Sequence, residues 1–361
     1  MRLFSAAVST AIAAALLAGC AGNSTGSNSS LPSSIGGAQG HGVGAAGFRG
    51  VPVSTVSQKF LRAHHHALFG KAAPPAGAKG IYVSAFAASN MWGFPKNNSG
   101  NGPSTCEVSP TTSVNSFGVD NSGNLMVPNA FDGVSVYSGS SMCGPLLGTI
   151  TDPYGQASDA SAVDAANGNI AVGNIFDNSG APGSISVCSV SSGTCSANLT
   201  NPNMFEMGGV AMSSNGDCWG DAINESDIAV LVWFQGCTGS GVVTTGFTNG
   251  FYGGVDIDNK GNLVTTSLFG PSFSLPSQVV VYSGCNPACT MLSSTTLSGE
   301  NIFGHVGRQN ARFVTPDLET GGVEVYSYKS SGLSLLYSFT GGIPCVSDEC
   351  ESAAYSPSSQ K

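Results

Sequence analysis

A phrase of the form apolar-x-Asp-x-x-Gly-Asn-apolar recurs along this chain and constrains its fold more than any other feature. It reads as Val119 to Val127 (VDNSGNLMV) and Ile257 to Val264 (IDNKGNLV). Looser copies are Val163 to Val172 (VDAANGNIAV) and Met212 to Trp219 (MSSNGDCW), and Val306 to Val314 (VGRQNARFV) keeps only the outline. A second phrase follows each copy: Val134 to Ser138 (VSVYS), Ile185 to Ser189 (ISVCS), Val230 to Trp233 (VLVW), Val279 to Ser283 (VVVYS) and Val323 to Ser327 (VEVYS). Alternating apolar positions make each half a strand. Asp-x-x-Gly-Asn is hairpin chemistry, in which Asp caps its own turn and Gly or Asn accepts positive φ. A repeating unit of about 45 residues with four short strands is a β-propeller blade, which buries its faces only by stacking on its neighbours.

The two ends of the repeat region complement each other. Gly80 to Ser84 (GIYVS) matches the second strand of a blade whose first strand is missing upstream. Glu351 to Pro357 (ESAAYSP) matches a first strand with nothing after it. Pairing the two closes a ring and removes open sheet edges. Second strands starting near Ile81, Leu125, Ile170, Cys218, Leu263 and Arg312 then define an all-β, six-bladed propeller over residues 80–361. Composition agrees. Only 9% of residues are charged and 50 are Gly, which suits many hairpins and leaves no polar faces for long amphipathic helices.

The Val-Asp-x-x-Gly-Asn-Leu-x-Val phrase resembles NHL-type repeats and the related gluconolactonase-like propellers over most of residues 80–357. That resemblance implies blade architecture. In gluconolactonase-like enzymes it also implies a metal held by Glu, Asn and Asp around the axis, but no position-matched ligand set is found in this sequence. A streptogramin-lyase-like reading calls for a channel histidine with a metal, and His305 is the one histidine of the propeller.

Residues 1–19 read as a lipoprotein signal peptide. A short basic start precedes an apolar stretch from Phe4 to Leu17, and Leu17-Ala18-Gly19-Cys20 looks like a lipobox with Cys20 as the lipidated residue. Acyl chains on Cys20 would hold the protein on a membrane, placing it in the cell envelope, at the outer membrane or cell surface. Residues 20–79 read as a flexible tether. Within it, Ser57 to Leu68 is an amphipathic segment, and His64, His65 and His66 form a polar turn rather than a metal site.

Ten cysteines remain besides Cys20, an even number that suits an exported, disulfide-bonded chain. Spacing suggests Cys188 with Cys195, Cys285 with Cys289, Cys345 with Cys350 and Cys218 with Cys237, leaving Cys106 with Cys143.

Propeller ligands bind at a mouth of the axial channel, lined by the first strands and the loops entering them. Those positions include Asn115, Ser116, Asp159, Tyr252 and Asn301, and the candidate set is Glu206, Asp256, Glu300, His305 and Glu351. Asp256 and His305 fall at equivalent positions of adjacent blades, where Gly118, Ala162, Ala211 and Ala354 are small. As a pair they offer a general base or half a metal site. Converging Glu206, Glu300 and Glu351 would suit a divalent cation. No cofactor is assigned beyond that cation. The recurrent Asp120, Asp164 and Asp258 are read as turn residues, and Tyr137, Tyr282 and Tyr326 as blade packing. With a net charge of −9 and no basic cluster, nucleic acid is excluded as a partner. Two readings follow. One is a non-catalytic binding or scaffold protein taking a protein, peptidoglycan fragment or carbohydrate on one face of the disc. The other is a metal-dependent, lactonase-like hydrolase or lyase at the channel mouth.

Overall fold

Six four-stranded antiparallel sheets, arranged as blades around an axis, make up the computed structural model. It describes residues 79–356 apart from 86–89, 110–115, 121, 130–132, 155–157, 165–167, 176–181, 251–252, 269–275, 302, 308–311 and 344–349. Cys20, the segment from Ser57 to Leu68 and His64 to His66 lie outside the described residues, as do Asn115 and Tyr252.

Blade 1 is composite. Its first strand, Cys350–Ser356, comes from the C-terminal end of the repeat region and pairs with Gly80–Ala85, followed by Met91–Pro95 and Cys106–Val108. The register sets Ile81 against Tyr355 and Val83 against Ala353, so the ring closes through backbone hydrogen bonds. Blade 2 runs from Gly118–Val119 through Leu125–Asn129 and Gly133–Tyr137 to Leu146–Ile150. Blade 3 comprises Ser158–Asp164, Asn169–Asn174, Ser184–Ser189 and Thr194–Thr200. Blade 4 comprises Glu206–Met212, Cys218–Ile223, Ala229–Phe234 and the short Val242–Val243. Blade 5 starts with only three residues, Val255–Ile257, then Leu263–Ser267, Gln278–Gly284 and Cys289–Thr296. Blade 6 starts with His305–Gly307, then Arg312–Asp317, Gly322–Lys329 and Gly332–Phe339.

The repeated aspartates build turns. Asp120 Oδ1 accepts the amides of Ser122 (2.8 Å) and Asn124 (2.7 Å), and its Oδ2 accepts Asn124 Nδ2 at 2.8 Å. Asp258 repeats this with Lys260 (2.8 Å), Asn262 (2.9 Å) and Asn262 Nδ2 (2.9 Å). Gly123 and Gly261 take φ of +84° and +83° at the same place in each turn, a conformation that side chains other than Gly resist. Tyr328 of the next blade donates its hydroxyl to Asp258 Oδ2 at 2.9 Å, so the turn also fastens blade 6 to blade 5.

Among the described residues, apolar clusters occupy each of the six blade interfaces. Phe94 and Ile81 meet Val314, Val323 and Phe339 between blades 1 and 6. Trp219 and Leu231 meet Val255, Leu263 and Tyr282 between blades 4 and 5. Tyr137, Tyr282 and Tyr326 are buried in such clusters. Disulfides join Cys106 to Cys143, Cys188 to Cys195, Cys218 to Cys237 and Cys285 to Cys289. Cys350 is also disulfide-bonded, and Cys345 falls outside the described residues. The first of these bonds ties blade 1 to blade 2, and the next three close hairpins within blades 3, 4 and 5.

Candidate functional site

Each blade's first strand runs from the face where it is entered, here the mouth face, to the face carrying the Asp-x-x-Gly-Asn turns, here the turn face. Of the five candidate residues, the structure brings together two. Asp256 and His305 approach with His305 Nδ1 3.6 Å from Asp256 Oδ2. They occupy equivalent positions, as the alignment drawn from sequence has it. Asp256 lies opposite Val264 and His305 opposite Val314, the second-strand residues that face the following blade at the 5–6 and 6–1 interfaces. Asp256 thus faces blade 6, whose first strand carries His305.

Asp256 is already engaged by backbone. Its Oδ1 accepts the amide of Ile257 at 2.7 Å and its Oδ2 accepts the amide of Val306 in blade 6, also at 2.7 Å. The carboxylate therefore latches two neighbouring first strands. His305 stacks on Phe117 of blade 2, with centroids 6.2 Å apart and planes at 29°. Phe117 is fully buried, and Ala353 and Ala354 are the small residues of the first strand that separates blade 6 from blade 2. His305 Nε2 is buried without a hydrogen-bond partner.

The other three candidates lie apart. Gly304 bridges to Ala353, so Glu351 and His305 stand three residues out of level, about 10 Å along the strands. Glu351 occupies a bulge at the mouth end of the closure strand, where the register against Ser84 and Ala85 shifts. Its Oε2 has no partner, and burial pushes its carboxyl up to about 8. Asp159 takes the same bulge position in blade 3. Glu206 sits beside the Asn224–Ile228 turn of its own blade, where burial first and then the charge of Asp227 raise its carboxyl to about 7. Glu300 is held by the next turn of blade 6, donating its amide to Asp317 Oδ1 at 3.3 Å and accepting from the Leu318 amide at 2.8 Å. Asn301 is engaged internally, its Nδ2 donating to Pro316 O at 2.9 Å and Glu324 Oε2 at 3.1 Å.

Among the described residues, one group of three metal-ligating side chains comes within 4.8 Å, namely Asp152, Cys188 and Cys195. The two sulfurs are bonded to each other and so are not thiolate ligands. Glu206, Asp256, Glu300, His305 and Glu351 form no such group.

One residue escaped the sequence reading. Asp221, in the second strand of blade 4, is fully buried, and no side chain hydrogen-bonds its carboxylate. Burial holds its carboxyl well above the ordinary range. The signal was a carboxylate inside the otherwise apolar run Cys218 to Ile223.

No protein-family model matches the sequence, and no curated protein matches it. Solved structures do resemble it in fold. A chain of a nidogen/laminin complex aligns with a TM-score of 0.57 at 10% identity, covering 79% of this chain and all of that one. U3-55K aligns at 0.50 and 12%, covering 72% and 78%. A protein from Lactobacillus plantarum aligns at 0.48 and 11%, covering 77% and 99%. At such identities the nidogen/laminin and U3-55K likenesses speak to the fold alone. The chain is a six-bladed β-propeller with a composite closing blade.

Proposed function

We propose that this protein is a lipid-anchored, extracytoplasmic binding scaffold that presents the mouth face of its propeller to a partner. The observation that carries the reading is the state of the axis. The candidate pair Asp256 and His305 is packed between blades, with both Asp256 oxygens on backbone amides and His305 against Phe117. That arrangement stiffens a ring rather than exposing a base to substrate.

Orientation supports it. The described chain begins at Lys79 and Gly80 on the turn face, and Lys96, Lys260, Arg312 and Lys329 lie on that face too. The preceding tether carries Arg49, Lys59, Arg62 and Lys71 and no acidic residue. A cationic tether and a cationic face suit an anionic membrane surface, with Cys20 as the anchor and the mouth face directed away.

The test uses the full chain expressed with its leader in a bacterial host. Cys20→Ala should move the protein from the membrane to the soluble fraction, and the purified protein should carry no stoichiometric divalent metal. A tightly held metal, together with lactone or ester turnover that His305→Ala abolishes, would overturn the scaffold reading in favour of a hydrolase.

A further inference from the structure

The outer strands of blades 5 and 6 carry apolar side chains that the core does not take up. In each strand a bulge adds one residue, opposite the step from Val281 to Tyr282 in blade 5 and from Val325 to Tyr326 in blade 6. The added residues are Leu292 and Leu336, preceded by Met291 and Leu335. All four are between 44% and 51% exposed. Blade 2 has the same bulge with Leu146 and Leu147, but there Leu147 packs against the cluster between blades 2 and 3. Blade 3 places the exposed Ser196 at the added position, so a polar residue satisfies the bulge and folding does not call for leucine. The two outer strands form one surface: Ser293 Oγ donates to Ser330 O at 3.0 Å, and the Leu333 amide donates to Thr295 Oγ1 at 3.1 Å.

The cations gather in the same sector. Residues 97–259, which span blades 2, 3 and 4, contain neither Lys nor Arg. Lys79 and Lys96 beside blade 1, Lys260 of blade 5, and Arg312 and Lys329 of blade 6 all lie on the turn face. Lys79, Lys260 and Lys329 are exposed. Lys329 pairs with Gly332 at the turn-face end of the outer strand, three residues before Leu335, so the ammonium-bearing residue and the apolar pair stand about 10 Å apart.

We propose that the turn-face rim of blades 5 and 6 is a second membrane contact, lying edge-on against an anionic phospholipid bilayer. Met291, Leu292, Leu335 and Leu336 enter the interface, and Lys260 and Lys329 meet the headgroups. The proposal rests on the lipid-anchored reading above and names the surface that touches the lipid. Three observations select a bilayer as the occupant. Exposed apolar side chains and cations coincide in one sector, which is the make-up of an interfacial membrane contact. The described chain enters the ring at Lys79, on the same face of the adjacent blade 1, so an anchored tether delivers this sector to the surface. The exposed carboxylates Glu225, Asp227 and Glu319 lie in mouth-face turns, away from it; the remaining exposed carboxylate among the described residues, Glu107, is on the outer strand of blade 1.

The test protein is the chain from Ala21 to Lys361, which lacks leader and anchor, keeps every strand of the ring and has its disulfides intact. It is sedimented with vesicles of phosphatidylcholine alone and of phosphatidylcholine with about a third phosphatidylglycerol, at low and at physiological salt. It should bind the anionic vesicles about tenfold or more tightly than the neutral ones, and less so as salt rises. Leu292→Ser with Leu336→Ser, which copies Ser196 of blade 3, should weaken binding about tenfold while keeping the parent's melting temperature. Lys260→Gln with Lys329→Gln should weaken binding to anionic vesicles about tenfold and leave neutral vesicles unaffected. Ile228→Ser removes an exposed apolar side chain from a mouth-face turn of blade 4 and should change binding by less than about twofold.

Absence of binding to anionic vesicles would overturn the proposal, as would equal binding by the parent and the Leu292→Ser, Leu336→Ser variant. A comparable loss in Ile228→Ser would do the same, because adsorption would then have no preferred face. A parent that is dimeric without lipid, and that the double serine variant turns monomeric, would reassign the patch to a second copy of this chain. If the full-length protein leaves the membrane on Cys20→Ala substitution while the shorter chain ignores vesicles, this inference fails and the lipid-anchored reading stands. If Cys20→Ala changes nothing while the shorter chain binds through blades 5 and 6, the anchor reading fails and the rim contact stands.

Discussion

Replacing Glu351 by Gln should flatten the pH dependence of this protein's stability across the neutral range. The carboxyl is buried in the closure strand, and its Oε2 lacks a partner. Burial alone raises it from 4.5 to about 8. A carboxyl raised on folding keeps its proton in the native state where the unfolded chain has lost it. Its stabilising share is therefore complete below about pH 4.5 and disappears as pH climbs through about 8. At 1.36 kcal/mol for each pH unit of difference, the loss amounts to about 3–5 kcal/mol between those limits. Gln fills the same volume, cannot ionise and should abolish that share of the slope. The measurement is urea unfolding with disulfides intact, at pH 5, 6, 7 and 8, on parent and variant. The parent should lose stability steadily over this window, with Glu206 adding to the slope up to about 7. The variant should be close to the parent at pH 5 and more stable at pH 8. Parallel slopes for the two proteins would refute the reasoning, because Glu351 would then be ionised or hydrated in the folded ring.

Two further predictions test the architecture. Asp258→Ala removes the acceptor of two amides, Asn262 Nδ2 and the Tyr328 hydroxyl, and should cost about 3 kcal/mol in denaturant unfolding; a loss below about 0.5 kcal/mol would mean that the turn does not depend on its carboxylate. Deleting residues 350–361 exposes the edge of Gly80–Ala85 and strips Cys350, Ala353 and Tyr355 from the cluster around Phe94, so the protein should aggregate or lose its cooperative transition in size-exclusion and thermal assays; a monomer with the parent's melting temperature would show that closure is dispensable.

What the chain alone determined was everything local and periodic. Asp120 and Asp258 with their following Gly and Asn specify a turn within five residues, and the alternation in VSVYS or VVVYS specifies which positions are buried, so blade type and number follow from counting. The unmatched strands at the two ends, GIYVS and ESAAYS, even prescribed the closure, because each supplies the hydrogen-bonding partner that the other lacks. The tertiary structure alone decided which side chains meet between blades. A strand period of two leaves the phase open, and a one-residue slip reverses every side chain. The repeat settles that phase even in the three-residue first strands Val255–Ile257 and His305–Gly307, but not which side chains of neighbouring blades come within reach. The sequence placed Asp256 and His305 at matching positions, but only the fold brings them together, stacks Phe117 on His305 across a strand of alanines and buries Asp221 among apolar neighbours. The sorting of charge follows the same logic. Lys96, Lys260, Arg312 and Lys329 are plain in the sequence, but their gathering on the turn face exists only once every strand has a direction around a closed ring.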